Sequence, residues 1–358
     1  MIHYEKNNRG LLVPKLKRSG EVPGRLIEGY GDEDTRLGFV AMSATLDDTT
    51  QPIFDTLARQ AHNGKSVFVL PDAYARLFPS DQLALTPSRM KTARKLMDFL
   101  ADIDGTDNGS AHLAYPYGNR GLRSRMPWGG RNHIKLYQFG DTVLTAGGVN
   151  ACGTSFGFTD YLLEFTDHDL AEWAWRLTER LALEDNLGDY DLYYDSPYGE
   201  FIVDVGVPGQ SAILDKAQEL LQSDDIEKVV FSSMYRPGGA IEARLGELQE
   251  KLGESNVTVC YNSLEKPSNI TDRLQSYKQR IGRKTHTASH PAEKFHHAKF
   301  IIVYKSDGSV ELISTSHNFN TSGVMFGTAE IALVSSSPEL ANELDDFLHN
   351  YVLAPEVS

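Results

Sequence analysis

The feature that most constrains this chain is an internal duplication. Thr35 to Ser43 (TRLGFVAMS) reads as a strand, Gln51 to His62 shows helical spacing, and Ser66 to Pro71 is a second apolar strand. The same order returns later: a strand at Ile226–Met234, a helical pattern at Ala240–Leu252 and a strand at Asn256–Tyr261. Further on, the helical segment Arg89–Ile103 has a partner in Ile270–Ile281. The strand at Asp160–Phe165, with helix Asp169–Leu181, has a partner in Glu330–Val334 with helix Pro338–Tyr351. Strands that alternate with helices imply βαβ units and a parallel or mixed sheet. The expected fold is therefore α/β, with two pseudo-symmetric β/α halves, mixed sheets flanked by helices, and a site at their interface.

The downstream parts match at a constant offset of 170 residues, from Asp160/Glu330 to Leu170/Leu340, whereas the upstream offset is nearer 190. An insertion in the first half, within about 73–118, accounts for the difference. The expected organisation is an irregular arm over 1–30, a first half over 31–182, a connection over 183–200 and a second half over 201–358. The arm carries Gly and Pro breakers with mixed charge, and the connection is acidic and rich in tyrosine.

Two segments within the repeat carry chemistry. One begins His133-Ile-Lys135 and runs to Gly147-Gly148-Val149-Asn150; the other begins His297-Ala-Lys299 and runs to Ser314-Thr315-Ser316-His317-Asn318. Each follows a basic loop and opens an apolar strand. Each reaches its Asn 17 or 21 residues after the His, and a carboxylate, Asp160 or Glu330, 10 or 12 residues after that Asn. A single His-x-Lys says little in a chain with eleven histidines, and either histidine alone reads as an ordinary core or surface residue. The doubled context changes that reading. Residues i and i+2 of a strand share a face, so each half offers an imidazole, an ammonium and a carboxamide together. Gly147, Gly148 and Ser316 leave room for a ligand against the backbone. A phosphate diester asks for such a set, with donors for its non-bridging oxygens and a nucleophile in line with the leaving group. The carboxylate one strand away is suited to orient an imidazole, and Glu330 is expected to hold the proton of His297.

These residues resemble the paired HxK…N signature of the phospholipase D superfamily, and the likeness spans nearly the whole chain. The first motif, with Ser155-Phe-Gly-Phe-Thr-Asp160-Tyr after it, is most similar to the phosphatidylglycerophosphate synthase and phosphatidylserine synthase branch. The resemblance implies a two-step reaction through a phosphohistidine, with neither metal nor cofactor. It makes His133 the nucleophile and His297 the general acid. Lys135, Lys299, Asn150 and Asn318 then hold the phosphate, while Asp160 and Glu330 bond the imidazoles. Arg125, Arg131, Gly148 and Ser316 are the accompanying substrate-binding candidates. The sequence departs from the family pattern where an Asp usually follows the motif Lys by five residues: Gly140 and Tyr304 stand there.

Composition selects among the chemistries this allows. The net charge of −14 disfavours nucleic acid as the general partner. Basic charge is nonetheless gathered in two runs, Ala114–Gly140 with five Arg or Lys and no acid, and Arg273–Lys299 with seven and one acid. The expected partner is a phospholipid or a CDP-diacylglycerol-like diester, with peripheral contact to an anionic membrane through Trp128 or through the basic, apolar Leu11–Arg18. No apolar run approaches the roughly 20 residues of a span, and the N-terminus leads into no signal core, so a cytoplasmic protein at the inner membrane face is expected. A nucleic-acid phosphodiesterase and an inactive anion-binding module are the alternatives. His286, His290, His296 and His297 fit no zinc spacing, and Cys152 and Cys260 read as core residues.

Overall fold

A computed structural model of the chain describes residues 11–32, 36–77, 86–114, 130–183, 193–262 and 295–354. The first half starts with β1 (Lys15–Arg18) and α1 (Val22–Gly31). It continues through β2 (Leu37–Ala41), α2 (Gln51–His62), β3 (Val67–Pro71), α3 (Tyr74–Leu77), α4 (Pro87–Asp104) and β4 (Gly109–Ala111). β5 (Leu136–Phe139), β6 (Thr142–Thr145), α5 (Gly153–Phe156), β7 (Tyr161–Thr166) and α6 (His168–Leu183) complete it. The second half holds β8 (Tyr193–Ser196), β9 (Gly199–Val205), α7 (Ala212–Leu221), β10 (Ile226–Ser232), α8 (Gly239–Leu252) and β11 (Val257–Cys260). After these come β12 (Phe300–Lys305), β13 (Val310–Thr315), α9 (Thr321–Phe326), β14 (Ala329–Ser335) and α10 (Pro338–Phe347), which runs on as a π-helical turn to Leu353.

Each half is one mixed sheet. Their orders are β1-β7-β6-β5-β2-β3-β4 and β11-β10-β12-β13-β14-β9-β8. Reading the second in reverse aligns β9-β14-β13-β12-β10-β11 with β1-β7-β6-β5-β2-β3. The pairing directions agree as well: β2–β3 and β10–β11 are parallel, and the strands on the other side of β2 and β10 are antiparallel.

This alignment corrects the expected arm. β1 and α1 stand where β9 and α7 stand, so the repeat begins near residue 15. β1 pairs with β7 in register from Lys15↔Glu164 to Arg18↔Tyr161, and α1 buries Val22, Leu26 and Tyr30 completely. One of its glycines, Gly29, is a packing feature. A Cβ on Gly29 would lie 2.5 Å from the ring of Phe139, so glycine lets the helix sit directly on that ring. The expected connection is corrected too: Tyr193–Ser196 forms a hairpin with β9 and edges the second sheet, while 184–192 lie outside the described residues. β4 lies in the stretch expected to hold the insertion. Ile270–Ile281 lies outside the described residues.

Strand alternation explains the layers. Along β12, Phe300 and Ile302 face one core, and Ile301 and Val303 face another. β7 likewise turns Tyr161, Leu163 and Phe165 one way and Leu162 the other. The first of these faces from both sheets join α6 and α10 in one shared core, which includes Trp173, Phe201, Phe300 and Phe347. The outer faces are covered by α1, α2 and α4 on the first sheet and by α7 and α8 on the second. The two halves are thus fused through apolar contact, and the starts of β5 and β12 are fixed relative to each other.

Candidate active site

Two short parallel bridges build the site from the backbone. Asn132 pairs with Ala329, and Thr159 pairs with His296. His133 N–H donates to Ala329 O at 2.8 Å and Ala329 N–H to Arg131 O at 2.7 Å; His297 N–H donates to Thr159 O at 3.0 Å and Thr159 N–H to Phe295 O at 3.0 Å. The residue just before each carboxylate therefore sits beside the residue just before the opposite half's histidine.

The consequence is a crossed arrangement. His133 Nδ1 lies 2.8 Å from Glu330 Oε2, and His297 Nδ1 lies 2.6 Å from Asp160 Oδ2. This corrects the expectation that Glu330 attends His297: each imidazole is held by the carboxylate of the other half. With Nδ1–H donating to a carboxylate, each ring turns its Nε2 away from its partner. All four residues are buried, His133 and His297 at 7 % and 5 % exposed.

The supports of the two pairs differ. Glu330 Oε2 also accepts from Ser316 Oγ at 2.5 Å, whereas Asp160 Oδ1 accepts the Tyr161 N–H at 2.8 Å. Gly148 stands opposite Ser316, and a Cβ there would come within 2.6 Å of His297 Nδ1 and against both oxygens of Asp160. The missing side chain is what lets the His297–Asp160 pair occupy that space.

The lysines are wholly buried. Lys135 Nζ donates to His133 O at 2.7 Å, and Lys299 Nζ donates to His297 O. Thr145 Oγ1 fixes the strand by donating to Lys135 O at 2.7 Å. Burial pushes the Lys299 ammonium down to about 8, against the pull of Asp160 and Glu330. Burial, then Lys135 and Lys299, holds the His133 imidazole well below its usual range; burial and Lys299 bring His297 down to about 3 despite Asp160. Both lysines thus act on both imidazoles. Burial opposes ionisation of Asp160, but His297 and Lys299 outweigh it and keep that carboxyl below its usual value. Burial leaves Glu330 raised. Burial and the neighbouring lysines thus work against a proton on either imidazole, and Asp160 works in favour of one on His297.

Asn150 and Asn318 follow β6 and β13. Asn150 Oδ1 accepts the Ser43 N–H at 3.2 Å, and its own N–H donates to Ser155 Oγ at 2.9 Å. Asn318 is anchored through its carbonyl by Ser233 Oγ at 3.0 Å, while its buried Oδ1 has no partner among the described residues. Arg131, at the entrance to β5, stacks its guanidinium 5.1 Å from the Tyr74 ring centre. Arg125 and Trp128 lie outside the described residues.

Three features were missed at the sequence level. Asp72, at the end of β3, accepts the Asn132 N–H at 2.6 Å and holds the strand entrance; burial raises its carboxyl to about 6, with Arg131 opposing. Its counterpart Asn262 grips His296 by both backbone groups. His317, between Ser316 and Asn318, lines a cleft of about 170 Å³ with His133 and Glu330. The polar residue after an apolar strand was the available signal for Asp72 and Asn262. Nothing in the local pattern separates His317 from a solvent-facing residue.

Neither a protein-family model nor a curated protein sequence matches the chain. Solved structures do. Phosphatidylserine synthase from Haemophilus influenzae Rd KW20 is 14% identical with a TM-score of 0.68, over 96% of this chain and 89% of that one. Polyphosphate kinase from Porphyromonas gingivalis, also 14% identical, has a TM-score of 0.55 over 94% of this chain and 49% of that one. Nuc from Salmonella typhimurium, a phospholipase D family member at 14% identity, covers 47% of this chain and 91% of its own with a TM-score of 0.32. No helix among the described residues is long and apolar enough to cross a membrane. The chain has the phospholipase D-like fold, its two pseudo-symmetric β/α halves meeting where the two His-x-Lys strands begin.

Proposed function

We propose that the chain is a metal-independent phosphodiesterase or phosphatidyltransferase of phospholipase D type, working through a phosphohistidine. The observation that carries this reading is the crossed pairing of His133 with Glu330 and of His297 with Asp160, with a buried lysine behind each imidazole. A carboxylate on Nδ1 fixes the tautomer that leaves an Nε2 lone pair and stabilises the imidazolium formed when that lone pair reacts.

In the first step His133 Nε2 attacks phosphorus and the bond to the leaving ester oxygen breaks; that oxygen takes a proton from His297. In the second, water or an alcohol gives its proton to His297 and attacks phosphorus, and the P–N bond breaks. An anionic phosphate between the rings raises their proton affinity, which allows His297 to carry its proton once substrate is bound. Lys135, Lys299, Asn150 and Asn318 supply donors to the non-bridging oxygens, the electrostatic contribution on which phosphoryl transfer chiefly depends.

The finer reading is transfer of a phosphatidyl group from CDP-diacylglycerol to an alcohol. The fold likeness to a phosphatidylserine synthase over 96% of the chain supports it, as does the net charge of −14, which disfavours a polyanionic polymer. The test is an assay of labelled CDP-diacylglycerol with a panel of alcohols, beside a phospholipid and a single-stranded oligonucleotide, all in EDTA. Alcohol-dependent phospholipid formation, with an acid-labile label on His133, is expected. Activity that EDTA abolishes and a divalent ion restores overturns the mechanism.

A further inference from the structure

The two histidine–carboxylate pairs are not backed alike. β14 and β9 run antiparallel with Glu330 directly opposite Asp204, so the two side chains share a face of the sheet with Cβ atoms roughly 5 Å apart. In the first half that place belongs to Ser19. Arg18 pairs with Tyr161, and the next residue, Ser19, donates its N–H to Asp160 O at 2.9 Å, while its Oγ donates to Phe158 O at 2.5 Å. Glu330 therefore has a second carboxyl group beside it, and Asp160 has a hydroxyl that is turned to the backbone. Asp204 and Glu330 are both buried.

Both carboxyls of the second half are held as acceptors. Asp204 Oδ1 accepts the Ala212 N–H at 2.8 Å, at the start of α7, and Oδ2 accepts from Ser211 Oγ at 2.5 Å. Ser211 Oγ itself accepts the Leu214 N–H at 3.0 Å, so its hydrogen is directed at Asp204. Ser316 Oγ likewise accepts the Ile331 N–H at 3.0 Å and gives its hydrogen to Glu330. These donors favour a negative charge on Asp204. Burial, with Glu330, opposes it, and the balance raises its carboxyl to about 7. The other ionisable groups acting on the pair are His133, His317, Lys135 and Lys299, each through Glu330. α7 presents to Asp204 its backbone and Ser211, and its first-turn Asp215 is exposed. Capping α7 accounts for the hydrogen bonds of Asp204, and a neutral asparagine serves as well there. It does not account for a charge beside a carboxylate that already holds an imidazole.

On the reading of the site as a phosphohistidine centre, we propose that Asp204 is a positioning residue for His133: its charge behind Glu330 draws the Nδ1 proton of His133 toward that carboxylate and favours the imidazolium that forms when Nε2 bonds to phosphorus. Ser19 brings no charge to the Asp160–His297 pair. The pseudo-symmetric halves are thereby made unequal, with the stronger nucleophile at His133 and the readier proton donor at His297. A unit charge ~10 Å away in an effective dielectric of about 20 shifts an equilibrium roughly tenfold, which is enough to choose between two otherwise similar histidines. Because Asp204 loses its proton at about 7, the advantage of His133 grows as pH rises through neutrality.

The experiment uses Asp204→Asn in the full chain, with Asp204→Ser, the residue of the first half, if the first does not fold. Phosphoenzyme formation from a 4-nitrophenyl phosphodiester is followed by rapid quench between about pH 6 and 8.5. The wild-type rate should climb through about pH 7. The variant should lack that climb and be about three- to tenfold slower at the alkaline end, with KM unchanged because Asp204 acts through Glu330. A variant that stays within about twofold of the wild type throughout, with the same profile, overturns the proposal. The ¹⁵N resonances of His133, identified by their loss in His133→Ala, give a second readout that needs no turnover. They should shift with a midpoint near pH 7 in the wild type and lose that step in the variant, whereas those of His297 should show no such step. Absence of the step from the wild type, or its survival in the variant, overturns the proposal. If the wild type forms no phosphoenzyme at any pH, the phosphohistidine reading fails, and the resonances alone decide whether Asp204 acts on the Glu330–His133 pair.

Discussion

Replacing Gly148 with serine restores the residue that the phospholipase D pattern has before its Asn, and that Ser316 retains in the second half. By motif alone the change should be harmless or helpful. The geometry demands the opposite. The new Cβ would lie 2.6 Å from His297 Nδ1 and closer still to Asp160 Oδ2, and both atoms belong to a buried pair with no room to withdraw. Separating that pair forfeits a charge-assisted hydrogen bond, about 1.5–3 kcal/mol, and overpacking adds about 1–3 kcal/mol. A combined loss of about 3–5 kcal/mol is a large part of the ~5–15 kcal/mol typical of a folded protein. Urea unfolding measures the loss, and the downfield proton resonance of a carboxylate-bound His297 Nδ1–H reports on the pair directly. Gly148→Ala should do the same, because the conflict lies at Cβ. Ser316→Gly should cost about 1.5–3 kcal/mol, the worth of a hydrogen bond to a charged group, because it removes the Oγ that donates to Glu330 and accepts the Ile331 N–H. If Gly148→Ala keeps that resonance and unfolds within about 0.5 kcal/mol of the wild type, the reasoning is wrong.

Other outcomes follow from the same geometry. His133→Ala should form no phosphoenzyme from any substrate, while His297→Ala should still be phosphorylated by a 4-nitrophenyl diester, whose leaving group needs no proton; mass spectrometry of acid-free quenched samples checks this, and the reverse pattern exchanges the two roles. Stability should fall in acid. Because burial depresses both histidines in the fold, with His297 at about 3, the unfolded chain binds more protons between pH 6.5 and 3, and each imidazole removes up to about 1.4 kcal/mol per pH unit. The lowered Asp160 adds to that loss near pH 4, and the raised Glu330 opposes it; denaturant melts from pH 7 to 4 measure the sum. Asp160→Asn should harm reactions that need His297 as an acid more than the 4-nitrophenyl reaction, whereas Glu330→Gln should slow both alike, as comparison of kcat on activated and unactivated esters will show.

Most of the fold was legible because the repeat is written in hydrophobic periodicity. β2, β3, β10, β11 and α2 fall within a residue or two of their expected bounds. β1 and α1 were not legible. Gly20, Pro23, Gly24, Gly29 and Gly31 read as breakers, yet Pro23 sits in the first turn of α1, where it fits, and Gly29 is required by the ring of Phe139. In the site, spacing identifies each His, Lys, Asn and carboxylate as a set. It cannot say which carboxylate meets which imidazole, because that depends on the bridges Asn132↔Ala329 and Thr159↔His296, contacts between residues far apart in sequence. The place of His317 is equally non-local, since the cleft wall it joins brings together Met42, Arg131, His133 and Tyr235 from distant parts of the chain.

The exchange of carboxylates between the halves also ties assembly to competence. Cut between α6 and β8, neither fragment has a complete histidine–carboxylate pair, since His133 waits for Glu330 and His297 for Asp160. Each fragment would also strip its face of the shared apolar layer. Mixing the two should therefore restore activity only as they associate, with a dependence on the concentration of both. Joining them in one polypeptide replaces that bimolecular encounter with a fixed high local concentration. On the proposed mechanism, a misdocked or partly unfolded molecule is consequently silent, with no stray half-site left to react on its own.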